Sequence, residues 1–117
     1  MQTITAAAAA LTGGKITALQ LAETCLARAT DPSGEGKRVF IALSPEKVRA
    51  QATASDALRR YGIVPSPLAG VPISVKDLYD VQGEVTAAGS KALADSPPAD
   101  RDAPAIARLR AAGAVLM

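Results

Sequence analysis

Residues Pro67 to Asp80 read PLAGVPISVKDLYD. Val71, Ile73 and Val75 alternate with Pro72, Ser74 and Lys76, a period of two that predicts a strand with two unlike faces. Lys76 then shares a face with Ser74, opposite the Val/Ile row. Gly70 and Pro72 bracket the beginning of the strand, where Pro72 leaves no ladder N–H missing. Asp77 follows at its end, so a potential base stands beside a carboxylate where a loop begins, and such ends commonly carry sites. Two readings of Lys76 are open from these residues. Edge strands carry Lys to discourage pairing with other chains. A catalytic base is the other reading, and it requires a neutral amine. With a free pKa near ~10.4, only about one ammonium in 2,500 is deprotonated at pH 7. Burial lowers such a pKa by up to ~3–5 units.

Upstream of this stretch the pattern is helical. Thr3 or Thr5 can cap a short helix through the alanine run, ended by Gly13-Gly14. LTGGKI lacks the Gly and the Ser or Thr that a phosphate loop requires. Thr17 to Gln20 (T-A-L-Q) is a capping box. A helix to about Ala29 follows, with Ala18, Leu21, Ala22, Cys25 and Ala29 on one face. Cys25 on that stripe reads as a small buried hydrophobe. Asp31 to Lys37 is a loop by composition. Val39 to Leu43 is a strand or an extended connector. Ser44-Pro45 opens a helix with Ser as N-cap and Pro in the first turn, running to about Tyr61 and stopping at Gly62.

Downstream, Val81-Gln82-Gly83 reads as a turn, and Glu84 to Ser90 is short and small-residued. Asp100 or Asp102 can cap a helix through Ala112 that turns Ala105, Ile106, Leu109 and Ala112 inward, with Gly113 at its end. Ala114 to Met117 begins a second apolar run. Strand, crossover helix and strand make a parallel, right-handed βαβ unit.

The chain has 117 residues, 49% of them apolar, with one Phe, two Tyr and no Trp. Much of the apolar content is alanine, so the core is thin, which predicts a piece of something larger. Thirteen basic and eleven acidic residues give a net charge of +2 and are interspersed. No basic stripe with aromatics is present, so direct nucleic-acid binding is not expected. The absence of His excludes Ser-His-Asp and Cys-His nucleophile systems and His-based zinc sites within this chain. A single Cys excludes an internal disulfide. The first apolar run is too short to span a membrane, and the cytoplasm is the expected location.

Three segments, PLAGVPISVKDLYDVQG, TAAGS at Thr86 to Ser90 and DAPAIARLRAAGAVL at Asp102 to Leu116, run in the order and at the spacing of the amidase signature family, which the chain resembles over roughly its last fifty residues. The resemblance implies an α/β fold: the N-terminal part of the amidase signature fold, helices packed on a mixed, largely parallel sheet, truncated. On this reading residues 1–117 are an incomplete amidase domain, with 1–66 mainly helical and 67–117 the start of the central sheet. Lys76 takes the position of the base in a Ser–cis-Ser–Lys triad whose two serines lie further downstream in the family. Asp77, Thr86, Gly89 and Ser90 are implied as supporting residues, with Ser90 not the nucleophile. Leu78 stands where many members have Asn, which leaves the substrate open.

The implied function is amide hydrolysis, carboxamide and water to carboxylate and ammonia or amine, with a small-molecule amide as substrate and no metal or organic cofactor. No membrane partner is implied, and a homodimer of the complete enzyme is allowed. Residues 1–117 alone are expected to be inactive. One alternative is the glutaminase (A) subunit of an aspartyl/glutamyl-tRNA amidotransferase. The other is a non-catalytic binding or structural module.

Overall fold

The computed structural model describes residues 3–117. Its elements are α1 (Ile4–Thr12), α2 (Ala18–Thr30), α3 (Gly36–Val39), α4 (Pro45–Arg60), β1 (Pro72–Ile73), a 3-10 turn (Lys91–Leu93), α5 (Pro104–Ala111) and β2 (Val115–Leu116). β1 and β2 pair in parallel, Pro72 opposite Val115 and Ile73 opposite Leu116. With α5 between them they form the βαβ unit that the sequence predicts.

Local chemistry sets the helix ends. Thr3 Oγ1 accepts from Ala6 N at 3.1 Å and starts α1. The Thr17–Gln20 capping box starts α2, with bonds of 2.9 and 3.1 Å. Asp56 of α4 adds a tertiary cap to α2: its carboxylate accepts from Ala18 N at 2.7 Å and from Leu19 N at 3.0 Å. A carboxylate at a helix N-terminus meets unsatisfied N–H groups and the positive end of the macrodipole. Ser44 caps α4 with Pro45 in its first turn. At the end of α5, Ala114 N reaches Leu109 O at 3.1 Å and Gly113 N reaches Arg110 O at 2.9 Å. This is a Schellman motif, which needs the left-handed φ of 82° that Gly113 adopts.

The core lies where α2, α4 and the strand pair meet: Leu11, Ala18, Ala22, Leu26, Val48, Ala52, Val71 and Val115. Ala18, Ala22 and Ala52 are wholly buried, so small side chains let α2 and α4 approach closely. Gln51 of α4 closes the outer edge of β2. Its Oε1 accepts from Leu116 N at 3.1 Å and its Nε2 donates to Leu116 O at 3.2 Å, standing in for a neighbouring strand. On the other side, Arg59 Nη2 donates to Ala69 O at 2.8 Å, and Gly70 N donates to Gly113 O at 2.8 Å. These bonds hold the approach to β1.

Several local expectations differ from the structure. Of the strand predicted through Val75, Pro72–Ile73 is paired, opposite Val115–Leu116. The alternation survives beyond it: Val71 is buried and Val75 half-buried, while Ser74 and Lys76 are exposed. Val39 ends the short helix α3, and residues 40–43 are a connector without strand pairing. Leu26, unassigned by the sequence pattern, is the large buried side chain of α2, while Leu21 and Cys25 sit half-buried beside it. Neither Asp100 nor Asp102 caps α5. Its N-cap is Ala103, without a side-chain bond, because the Asp102 carboxylate is engaged elsewhere. Ala105 is exposed, and Ile106 is the buried residue of that helix.

Candidate active site

An open groove of about 820 Å³ lies beyond the carboxyl ends of β1 and β2. Phe40 and Leu43 of the connector, Val75, Lys76, Thr86 and Met117 are among its walls. Its lining mixes apolar side chains with polar and charged ones, among them Lys47, Gln51, Lys76 and Arg110.

Lys76 reaches this groove because β1 ends three residues before it and a tight turn follows. Leu78 N donates to Lys76 O at 2.7 Å and Tyr79 N to the same oxygen at 3.2 Å. The side chain is exposed. Among the described residues no hydrogen bond or ion pair involves its Nζ.

Among the described residues Asp77, next in sequence, makes no hydrogen bond or ion pair with that amine; its partners are backbone amides. Its Oδ1 accepts from Ala87 N at 3.0 Å and its Oδ2 from Gly89 N at 3.1 Å. The Gly89 amide is the main cause that holds this carboxyl below its ordinary value, against a raising effect of burial. The Ala88 and Ala87 amides and the Lys76 charge add to the lowering. Successive amides aimed at one carboxylate form an anion-binding concavity, here with Ala88 at a φ of 51° and Gly89 at 69°. These N–H groups are therefore spent on Asp77.

The remaining sequence-derived candidates divide. Thr86 lines the groove, and its Oγ1 donates to Asp80 Oδ1 at 2.8 Å. Gly89 and Ser90 are not among the lining residues. They sit behind the Asp77 carboxylate, where Ser90 N donates to Ala87 O at 2.8 Å.

Two further contacts made by the groove-lining residues Gln82, Arg110, Lys47 and Glu84 had no signal as pairings in the sequence. Asp102 Oδ1 accepts from Gln82 N at 2.8 Å, and its Oδ2 accepts from Arg110 Nε at 2.7 Å. The Arg110 guanidinium, then the Gln82 amide, lower the Asp102 carboxyl to about 2. This pair clamps the Val81–Glu84 turn to α5. Lys47 of α4 pairs with Glu84 at 3.2 Å across the groove wall. These contacts join positions far apart in the chain, beyond the reach of periodicity or caps. Among the described residues no three His, Cys, Asp or Glu side chains are grouped to hold a metal ion, and no helix is long and apolar enough to cross a membrane.

The Amidase family model matches residues 20–117. The glutamyl-tRNA(Gln) amidotransferase (A) subunit of Chloroflexus aurantiacus is 47% identical over 98% of this chain and 23% of its own length. AtzE, the 1-carboxybiuret hydrolase subunit of Pseudomonas sp. (strain ADP), is 49% identical over 67% of this chain and 17% of its own length. Among solved structures, native peptide amidase from Stenotrophomonas maltophilia superposes with a TM-score of 0.85 at 34% identity, over 97% of this chain and 23% of that one. The chain thus spans about a quarter or less of the length of these relatives. With a family match over most of its length, the chain belongs to the amidase family.

Proposed function

We propose that this chain contributes the general base, Lys76, to a serine amidase that hydrolyses a linear carboxamide to a carboxylate and ammonia or an amine. The supporting observation is family membership over residues 20–117, with Lys76 facing the open groove. In the complete enzyme the neutral Lys76 amine accepts a proton from a bridging serine. That serine accepts one from the serine that attacks the amide carbonyl. The amine leaves after protonation, and water releases the acyl group. Residues 1–117 carry one of these three groups and alone are expected to give no turnover.

The test is Lys76→Arg and Lys76→Ala in the amide-hydrolysing protein that carries this chain. Arg keeps the charge but does not deprotonate in proteins. Each variant is expected to lose at least ~10²-fold in kcat, the low end for a general base. Near-unchanged turnover in Lys76→Arg refutes the assignment.

A second reading is a glutaminase-type subunit that delivers ammonia within an assembly. The 47% identity, along nearly the whole chain, to an amidotransferase (A) subunit favours it. Turnover of simple amides without partner subunits supports the first reading, and glutamine hydrolysis only in the presence of a partner supports the second.

A further inference from the structure

We infer that Asp77 is a positioning residue of this site: its carboxylate clamps the Thr86–Ser90 segment through the Ala87 and Gly89 amides and is thereby kept from pairing with Lys76. This rests on the reading of Lys76 as the base. A carboxylate adjacent in sequence to the base is an obvious partner for its ammonium, and an ion pair there would favour the charged lysine. Asp77 is instead bound at both oxygens, at 3.0 and 3.1 Å, by amides ten and twelve residues downstream.

The geometry of the downstream segment is built for this contact. Ala88 is the described non-glycine residue with positive φ, at 51°, a conformation that a side chain adopts at a cost. That turn aligns successive N–H groups on one carboxylate. The same clamp fixes the Lys76–Asp77 backbone and sets where the lysine side chain leaves it. Thr86, which also lines the groove, is held by Asp80 at 2.8 Å, so carboxylates hold this segment at Thr86 and at the turn that follows it. The clamp thus does two jobs: it orders a small-residue loop that has little apolar surface to hold it, and it leaves the amine free.

The test is Asp77→Asn, read in two ways. In the isotope-labelled amidase that carries this chain, amide exchange at Ala87 and Gly89 is expected to accelerate at least about tenfold, while Val115 and Met117, bonded to Val71 and Ile73, keep their protection. In the amidase that carries the chain, kcat is expected to fall at least about tenfold with KM within about twofold, because misplacement of reacting groups costs rate. Unmoved amides overturn the clamp. Loss of protection at Val115 and Met117 as well overturns a local positioning role. Wild-type kcat in Asp77→Asn, alongside an inactive Lys76→Ala, overturns this inference and leaves the reading of Lys76 standing. Turnover that survives Lys76→Ala overturns that reading instead, and the amide data then judge the clamp alone.

A measurement without any variant guards against misfolding. In the wild-type amidase that carries this chain, the Ala87 and Gly89 amide protons are expected to shift together as the Asp77 carboxyl takes its proton, below the ordinary 3.8. Asp80 is the other carboxylate that faces this segment, through the Thr86 hydroxyl. Amides at 87 and 89 that do not move together overturn the clamp.

Discussion

Gly70→Ala is expected to unseat the start of β1, and its cost can be worked from two separable causes. Gly70 adopts a φ of 82° and donates to Gly113 O at 2.8 Å, so the backbone cannot relax without breaking that bond. A side chain in the left-handed region costs about 1–2 kcal/mol. The added Cβ would stand 2.8 Å from Ala18 Cβ and 3.0 Å from Ser55 Oγ. Ser55 can turn its hydroxyl away, but the Ala18 methyl has no rotamer to change. Overpacking of this kind costs about 1–3 kcal/mol, so the total is about 2–5 kcal/mol. For an m-value of about 1.5 kcal/mol/M this lowers the urea midpoint by about 1–3 M. Ala18→Gly removes the steric partner at a cost of about 0.5–1 kcal/mol. The double variant should therefore be about 1–2 kcal/mol more stable than the sum of the single changes. The assay is urea unfolding followed by far-UV circular dichroism on all four proteins. Additivity within about 0.5 kcal/mol refutes the steric cause, and a neutral Gly70→Ala refutes both.

Asp56→Ala removes the tertiary cap on Ala18 N and Leu19 N. It is expected to cost about 1–2 kcal/mol in the same assay and to accelerate amide exchange at those two residues. The Asp102–Arg110 pair makes a pH prediction. Its folded carboxyl lies at about 2, below the ordinary 3.8, so the folded state binds this proton less readily than the unfolded one. The contribution is present above the ordinary value and is lost as pH falls from about 5 through about 2. Arg110 is 44% exposed, which keeps the contribution near about 0.2–1 kcal/mol. Other depressed carboxyls, including Glu23, Asp31 and Asp77, titrate in the same window. The check is therefore a difference: urea midpoints in Asp102→Asn should fall less steeply with acid than in the wild type, and parallel curves exclude the pair as a source of acid sensitivity.

The features of this protein that are legible in the chain alone are those whose cause is local. Thr17 and Gln20 sit three residues apart and can satisfy each other's backbone, so the start of α2 is legible without a fold. The same holds for Ser44-Pro45 at α4 and for Gly113, because caps are decided within one helical turn. The alternation from Val71 to Lys76 predicted which side chains turn inward, since the period of two belongs to the extended chain. The motifs around Lys76 placed the chain in its family. Which residues of the alternating stretch pair, Pro72 with Val115 and Ile73 with Leu116, was not legible, because pairing is set by the partner strand and not by the alternation. The role of Asp102 was misread for a related reason. A cap and a tertiary clamp use the same carboxylate, and only the fold brings Gln82 N and Arg110 within 2.8 and 2.7 Å of it. Asp56 on Ala18, Gln51 on Leu116 and Asp77 on Gly89 likewise join residues 38, 65 and 12 apart. Each is a side chain satisfying backbone groups that local structure leaves open, and which ones stay open is decided by how the helices and strands pack.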